Sequence, residues 1–277
     1  LALHNPDGFA VDYGKVSCSF VTEAKSKGAK VFFNTKIEEI IHSNDGYVIK
    51  SNNTHFRAKV VVVAASSNTL TFAQKLGYGK NLIILPIAGS FFSSPKKLNG
   101  KVYMMQDPKL PFAAVHGDPY VGSPNETRFG PTAKALPILE AGHISTVFDF
   151  LKLFNARFDA IIALFKVLVD PVRFKYLLKN VVYDLPIIGR FAFLKQARKV
   201  VPSLKFSEFK SIGVVGIRPQ IVDVEKKQLN FGAAKLLGKN IIFNITPSPG
   251  ASVSLANAKV DTEKIIEFLG EGYNFNE

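Results

Sequence analysis

Apolar and polar residues change their period several times along the chain, and each change marks a new element. Between Val11 and Lys27, the residues Val16, Phe20 and Ala24 recur at helical spacing and Gly28 follows, which predicts an amphipathic helix closed by a glycine. Lys30–Phe33 reads as a short strand. Lys36–Ser43 reads as a longer one, turned through Asn44-Asp45-Gly46 into Tyr47–Ser51, because Asp-Gly between alternating segments signals a hairpin. His55–Arg57 extends this meander. Lys59–Ala65 is an almost unbroken valine run, the pattern of a strand buried on both faces in a parallel sheet, and a helix follows through Leu76.

From Leu82 to Pro131 the pattern shortens to Ile83–Ala88, Ser90–Ser93, Lys101–Met105, Ala113–His116 and Arg128–Phe129, punctuated by proline and glycine. This predicts an antiparallel sheet. His143–Lys205 is rich in Phe, Leu, Ile and Lys, with helix breaks at Pro171, Pro186 and Pro202, and Phe148, Leu151, Phe154, Phe158, Ile161, Ile162 and Phe165 recur at helical spacing. Two readings of this block stand: helices that cap the sheet, or a basic amphipathic surface resting on an anionic membrane.

The segment Ile212–Asp223 is a strand that places Arg218 at its apolar end. After a hairpin, the buried strand Ile241–Ile245 breaks at Pro247 and Pro249, and Gly250-Ala251-Ser252 opens a small-residue helix. The free N–H groups of such a helix start favour a negative or electron-rich partner such as a flavin or phosphate; a tight connection packed against protein is the alternative.

Composition narrows the function classes. At 277 residues and 47% hydrophobic content the chain can bury one large or two small cores. Its single cysteine, Cys18, excludes an internal disulfide framework and a cysteine-based zinc site, fits a cytoplasmic setting, and leaves no metal site expected. No apolar run reaches the roughly 18–20 residues of a membrane-spanning helix, and no signal-peptide order opens the chain. The net charge is +13, but the lysines are dispersed and no nucleic-acid motif accompanies them, so nucleic acid is not an expected partner. Residues 143–205 hold eleven Lys or Arg against four Asp, a net +7 and more than half of that excess, which points to an anionic membrane surface instead.

Arg218 in GIRPQ, followed by TPSPGAS and a small-residue helix, resembles the C-terminal part of the FAD-dependent 2-hydroxy-acid dehydrogenases of the D-amino-acid-oxidase-like group. VDYGKVSCSFV, GAKVFFNTKIEEI with VVVAASSN, KVYMMQDPKLPFAAVHGD and FGPTA agree in order, closest to malate:quinone oxidoreductases and L-2-hydroxyglutarate dehydrogenases. The resemblance implies an α/β (α+β) protein: part of a doubly wound FAD-binding domain from residues 9–81 and 238–277, and an antiparallel-sheet substrate domain from 82–237 capped by the helical segment 143–205. The GxGxxG turn of such enzymes is missing, so the chain reads as a fragment without their front third.

By the same resemblance, FAD lies beside Ala64, Ala65 and Ser66, the backbone at Ile37 faces its adenosine, and Pro249, Gly250, Ala251 and Ser252 approach the flavin. His116 is the implied proton acceptor and Arg218 the carboxylate clamp. The implied partners are a small 2-hydroxy acid and a membrane quinone. One departure is visible. Malate:quinone oxidoreductases read H-x-D-x-R where this chain has His116-Gly117-Asp118-Pro119-Tyr120, so either Tyr120 with a nearby cation such as Arg128 binds the substrate, or the substrate differs. A non-catalytic protein that holds an anion or docks on a membrane is the other reading of these features.

Overall fold

The computed structural model describes residues 9–105, 115–155, 157–230, 234–245 and 250–273. It contains helix α1 (Tyr13–Ser26), the meander β1 (Ile37–Ser43), β2 (Gly46–Ser51) and β3 (His55–Ala58), strand β4 (Val61–Val63) and helix α2 (Thr69–Lys75). Strands β5 (Leu82–Pro95), β6 (Val102–Tyr103), β7 (His116–Pro119), β8 (Glu126–Gly130) and β9 (Lys134–Ala135) follow. Helices α3 (Val147–Lys152), α4 (Phe158–Leu168), α5 (Pro171–Tyr183) and α6 (Ile188–Ala197) lead to β10 (Lys210–Asp223), β11 (Gln228–Asn230), β12 (Ala234–Gly238), β13 (Ile241–Ile245) and α7 (Ser254–Leu269). Mixed helices and sheets of this kind agree with the expected α+β class.

Three sheets form: β1-β2-β3, β12-β13-β4, and a seven-stranded sheet ordered β11-β10-β5-β8-β7-β6 with β9 paired to β5. Two compact units divide the chain. The first comprises Leu1–Gly28, Ile87–Leu136 and Lys166–Ile217; the second comprises Ala29–Pro86, Pro137–Phe165 and Arg218–Glu277. Strands β5 and β10 each run on across a division point, at Ile87 and at Arg218.

In the first unit, Phe92 and Phe129 point to one face of the sheet and join a core with Phe193 of α6 and Phe209. The Phe92 ring stacks on Phe193 at 4.6 Å and on Phe209 at 5.0 Å. Helix α5 begins at a capping Asp170, whose side chain accepts from the Arg173 N–H, with Pro171 in the first turn. At Gly189, just inside α6, a Cβ would stand 2.2 Å from the Tyr183 carbonyl, so only glycine lets the α5 end approach this closely. Asn180 and Asp184 tie α5 to the sheet: the Ala133 N–H donates to Asn180 Oδ1 at 2.8 Å, and the Ser90 hydroxyl donates to Asp184 Oδ1 at 2.9 Å.

In the second unit, β13 is fully apolar on its buried positions and α2 lays Leu70 and Ala73 into the core with it. The Tyr47 hydroxyl donates to the Lys239 carbonyl at 2.5 Å, and the Lys239 N–H donates to the Tyr78 hydroxyl at 3.1 Å, fastening the meander to the β12–β13 hairpin.

Several sequence expectations are corrected. Lys30–Phe33 is not a strand: no ladder partner lies beside it among the described residues, and Phe32 instead packs on Phe56 at 4.8 Å. Ile83–Ala88 and Ser90–Ser93 are one continuous strand, since Gly89 stays in the ladder. The valine strand is parallel to β13 as expected, but it is only three residues long and Val62 is 39% exposed, so it is not buried on both faces. It is an edge strand among the described residues. His116 starts strand β7 instead of ending one, and Arg218 lies inside β10, which continues through Pro219. Helix α7 begins at Ser254, with Gly250–Val253 as turns before it. Among the described residues, no helix is long and apolar enough to cross a membrane.

Burial pushes the Tyr47 phenol up from about 10 to about 12. A raised phenol keeps its proton in the fold, so its contribution to stability is complete below pH 10 and is lost as pH climbs toward 12. We expect Tyr47→Phe to flatten this alkaline loss in urea titrations at pH 8 to 12; an unchanged slope contradicts it.

Candidate functional site

Strand alternation and register assemble one face of the first unit. In β6, β7 and β8 the pairs Tyr103↔His116 and His116↔Gly130 lie in one line across the strands, and Phe91 of β5 leans over Gly130. The next line on the same face, two residues along each strand, runs Asp118, Arg128 and Ser93, with Asp118 directly opposite Arg128 and Arg128 opposite Ser93, and Lys101, the residue before β6, brings its ammonium to 3.7 Å from Asp118 Oδ2 at the end of this line. The intervening residues, Val102, Gly117, Phe129 and Phe92, face the other way, Phe129 and Phe92 into the core.

Within the first line, half-buried His116 stands between two rings. Tyr103 is 5.1 Å away, centroid to centroid, and Phe91 meets it edge-on at 6.1 Å. Gly130 creates the room: a Cβ there would come within 2.5 Å of the Phe91 ring. The imidazole therefore sits in an aromatic slot whose floor is bare backbone.

The second line is charged. Buried Asp118 accepts from Arg128 Nε at 3.1 Å and from Arg128 Nη2 at 3.0 Å, a two-point fork. The guanidinium also lies 4.5 Å over the Phe91 ring and 5.5 Å from the Tyr120 ring centroid. Arg128, expected as a substrate cation, thus has its fork filled by a neighbouring carboxylate, and Tyr120 serves as part of its platform. Asp118, Phe91, Tyr103 and Lys101 were not singled out from the sequence. The signal that would have found them is the alternation of KVY, HGDP and ETRFG, which puts every second residue on one face.

The remaining expected residues lie in the second unit. Arg218 is partly buried in β10 and has no hydrogen bond or ion pair among the described residues; burial alone holds its guanidinium below the ordinary arginine range. Ile37 opens β1, half-buried, at an irregular step in the pairing with β2. Because β4 and β13 are parallel, their carboxyl ends leave the sheet at one edge. Ala64, Ala65 and Ser66 follow β4, and all three are exposed; Ser66 has φ 51°, a left-handed conformation. Gly250, Ala251 and Ser252 follow β13 as turns, with Ala251 and Ser252 exposed, while the expected Pro249 falls outside the described residues. The buried Ser67 hydroxyl, next in the chain after Ser66, has no hydrogen-bond partner among the described residues. Small exposed residues at the carboxyl ends of two parallel strands, with an orphaned hydroxyl at the edge, fit a nucleotide cofactor such as FAD.

Removing one partner of the buried pair leaves the other uncompensated. We expect Asp118→Ala to lower stability by about 2–4 kcal/mol, somewhat less than for a fully enclosed pair because Arg128 reaches solvent. The double variant Asp118→Ala with Arg128→Met should recover part of that loss. Urea midpoints read both, and a single variant as stable as the parent contradicts the pairing.

Comparison with known proteins places the chain in a family. A malate:quinone oxidoreductase from Helicobacter pylori is 42% identical over 278 residues, covering 98% of this chain and 62% of that protein. A mitochondrial L-2-hydroxyglutarate dehydrogenase from Caenorhabditis elegans is 25% identical over 279 residues, covering 96% of this chain and 62% of its own length. The chain therefore spans about six tenths of the curated relatives it matches. The crystal structure of L-proline dehydrogenase from P. horikoshii superposes with a TM-score of 0.57 at 12% identity, over 92% of this chain and 55% of that one, a likeness of fold. The family described as FAD dependent oxidoreductase matches residues 1–256, and the chain belongs to it.

Proposed function

We propose that this chain takes part in oxidising an (S)-2-hydroxy dicarboxylate, such as malate or 2-hydroxyglutarate, to the 2-oxo acid, with electrons passed on to a membrane quinone. The observation that carries this reading is Arg218. A partly buried guanidinium without an acidic neighbour among the described residues is costly to hold until an anion arrives, and a carboxylate offers it two charge-assisted hydrogen bonds. The relatives named for malate and 2-hydroxyglutarate support the choice of anion.

In this reading Arg218 grips the C1 carboxylate and so fixes the direction of the C2–H bond. His116 accepts the hydroxyl proton at a ring nitrogen as the carbonyl forms, and the rings of Phe91 and Tyr103 flank the imidazole. When bound, FAD would supply the two-electron redox chemistry of the oxidation. Ala64–Ser66 and Gly250–Ser252 would hold it, as parts of a cofactor-binding domain built from residues 9–81 and 238–277.

The finer statement on partners concerns the helices. Helix α4 buries Ala160, Ala163 and Val167 and turns its large residues outward, with Phe158 at 74% and Phe165 at 63% exposure. Of the stripe expected to cap the sheet, only Phe154 is buried. In the first unit, Phe174, Leu178, Ile187 and Phe191 of α5, α6 and their connection are also exposed. Exposed apolar residues among lysines support docking on the anionic inner face of a cytoplasmic membrane, where quinone is dissolved.

Two measurements test these readings. Visible spectra of the FAD-loaded protein should bleach on adding L-malate or L-2-hydroxyglutarate. Arg218→Ala should lower kcat/KM by about 100-fold or more, and His116→Gln should lower kcat by about 100- to 10,000-fold. Flavin uptake without bleaching favours a protein that only binds anions. In the second measurement, the protein should sediment with vesicles containing phosphatidylglycerol more than with neutral ones, and Phe158→Asp with Ile161→Asp should reduce this; equal sedimentation of parent and variant refutes the docking face.

A further inference from the structure

We infer that Lys101 is the residue that recognises the second carboxylate of the substrate, and hence the determinant that separates dicarboxylic from monocarboxylic 2-hydroxy acids. The inference rests on the reading of His116 given above and names the specificity of that same site.

Three features of the charged line lead to it. Lys101, Asp118 and Arg128 carry one negative and two positive charges, so the line keeps one uncompensated positive charge. Arg128 is not its source, because both oxygens of Asp118 are taken by the arginine fork. Lys101 Nζ stands 3.7 Å from Asp118 Oδ2, beyond a normal N–H···O hydrogen bond, and its other described neighbour is the Tyr103 ring, 4.8 Å from the ammonium. The ammonium is near enough to Asp118 to be held in place, yet all three of its donors remain to be used.

Position completes the argument. The charged line lies two residues along the strands from the line of His116, a separation of roughly 6–7 Å. An extended 2-hydroxy dicarboxylate carries its second carboxylate two or three carbons beyond the hydroxyl carbon, a comparable span. With the hydroxyl at His116, the far carboxylate falls on the side of the charged line. A lysine suits that end: it is a compact charge on a flexible stem, able to meet carboxylates at either chain length, which a rigid arginine fork is less able to do. The side chain of Lys101 is 34% exposed, so an incoming anion can reach it and its replacement does not empty the core.

The test compares Lys101→Met and Lys101→Arg with the parent in the FAD-loaded enzyme, using L-malate, L-2-hydroxyglutarate and L-lactate. Lys101→Met should lower the ratio of kcat/KM for either dicarboxylate to that for lactate by about 10- to 100-fold, chiefly through KM, and Lys101→Arg should restore most of it. A ratio within about twofold of the parent overturns the assignment. If the parent oxidises none of the three acids, the dehydrogenase reading itself fails, and calorimetric titration with succinate and butyrate decides the matter. A parent that prefers succinate, with the preference lost in Lys101→Met, supports Lys101 as the carboxylate ligand; equal binding of the two acids, or a preference that survives the substitution, overturns it.

Discussion

The alternation of side chains across β5, β8, β7 and β6 is the constraint on which the first unit depends. Each strand must place one set of residues in the core and the other on the open face, and the antiparallel register decides which residues meet. Phe92 and Phe129 point inward, Phe92 stacking on Phe193 and Phe209 and Phe129 meeting Phe209 at a tilt. That stacking holds the register, and the register holds everything on the opposite face: His116 in line with Gly130, and Asp118 opposite Arg128. A slip of one residue would send His116 into the aromatic core and Phe129 into solvent. Packing on one side of the sheet therefore supplies the precision of the chemistry on the other.

The open face divides its labour between two adjacent lines. Uncharged rings surround His116 in the first, while the second gathers the ions, with the buried Asp118 carboxylate satisfied by an arginine that is itself stacked on aromatic faces. Burying Asp118 alone would be prohibitive; the fork makes it affordable, and it fixes the arginine at the same time. Arg218 presents the opposite case in the second unit, a partly buried cation with no carboxylate partner among the described residues. One arginine is finished as a structural part, and the other is left open to an anion.

In the second unit, the parallel pairing of β4 with β13 points the carboxyl ends of both strands to the same end of the sheet. Nothing about VVV or IIFNI taken separately requires that pairing, since Val63 and Ile241 lie 178 positions apart in the chain (241 − 63). The outward-facing helices add a different kind of surface. Helix α4 uses alanines where a helix normally buries its bulk, which allows close packing and leaves phenylalanine and isoleucine outside.

Much of the element order was legible in the sequence because local chemistry decides it. The Asn44-Asp45-Gly46 turn, the capping Asp170 before Pro171, the hairpin ending in β13 and the family motifs around Arg218 are all set by residues close together in the chain. Long-range pairing decided the rest. Lys30–Phe33 has strand composition but no ladder partner, Gly89 and Pro219 sit where strands usually stop yet the neighbouring strands carry the chain through them, and the periodic apolar stripe of residues 148–165 indicated helices without saying which face would be buried. The site shows the same division: His116 and Arg218 are recognisable from their motifs, whereas the pairing of Arg128 with Asp118 and the place of Lys101 beside them follow from cross-strand register. Register is a property of two strands at once, and a single run of residues does not contain it.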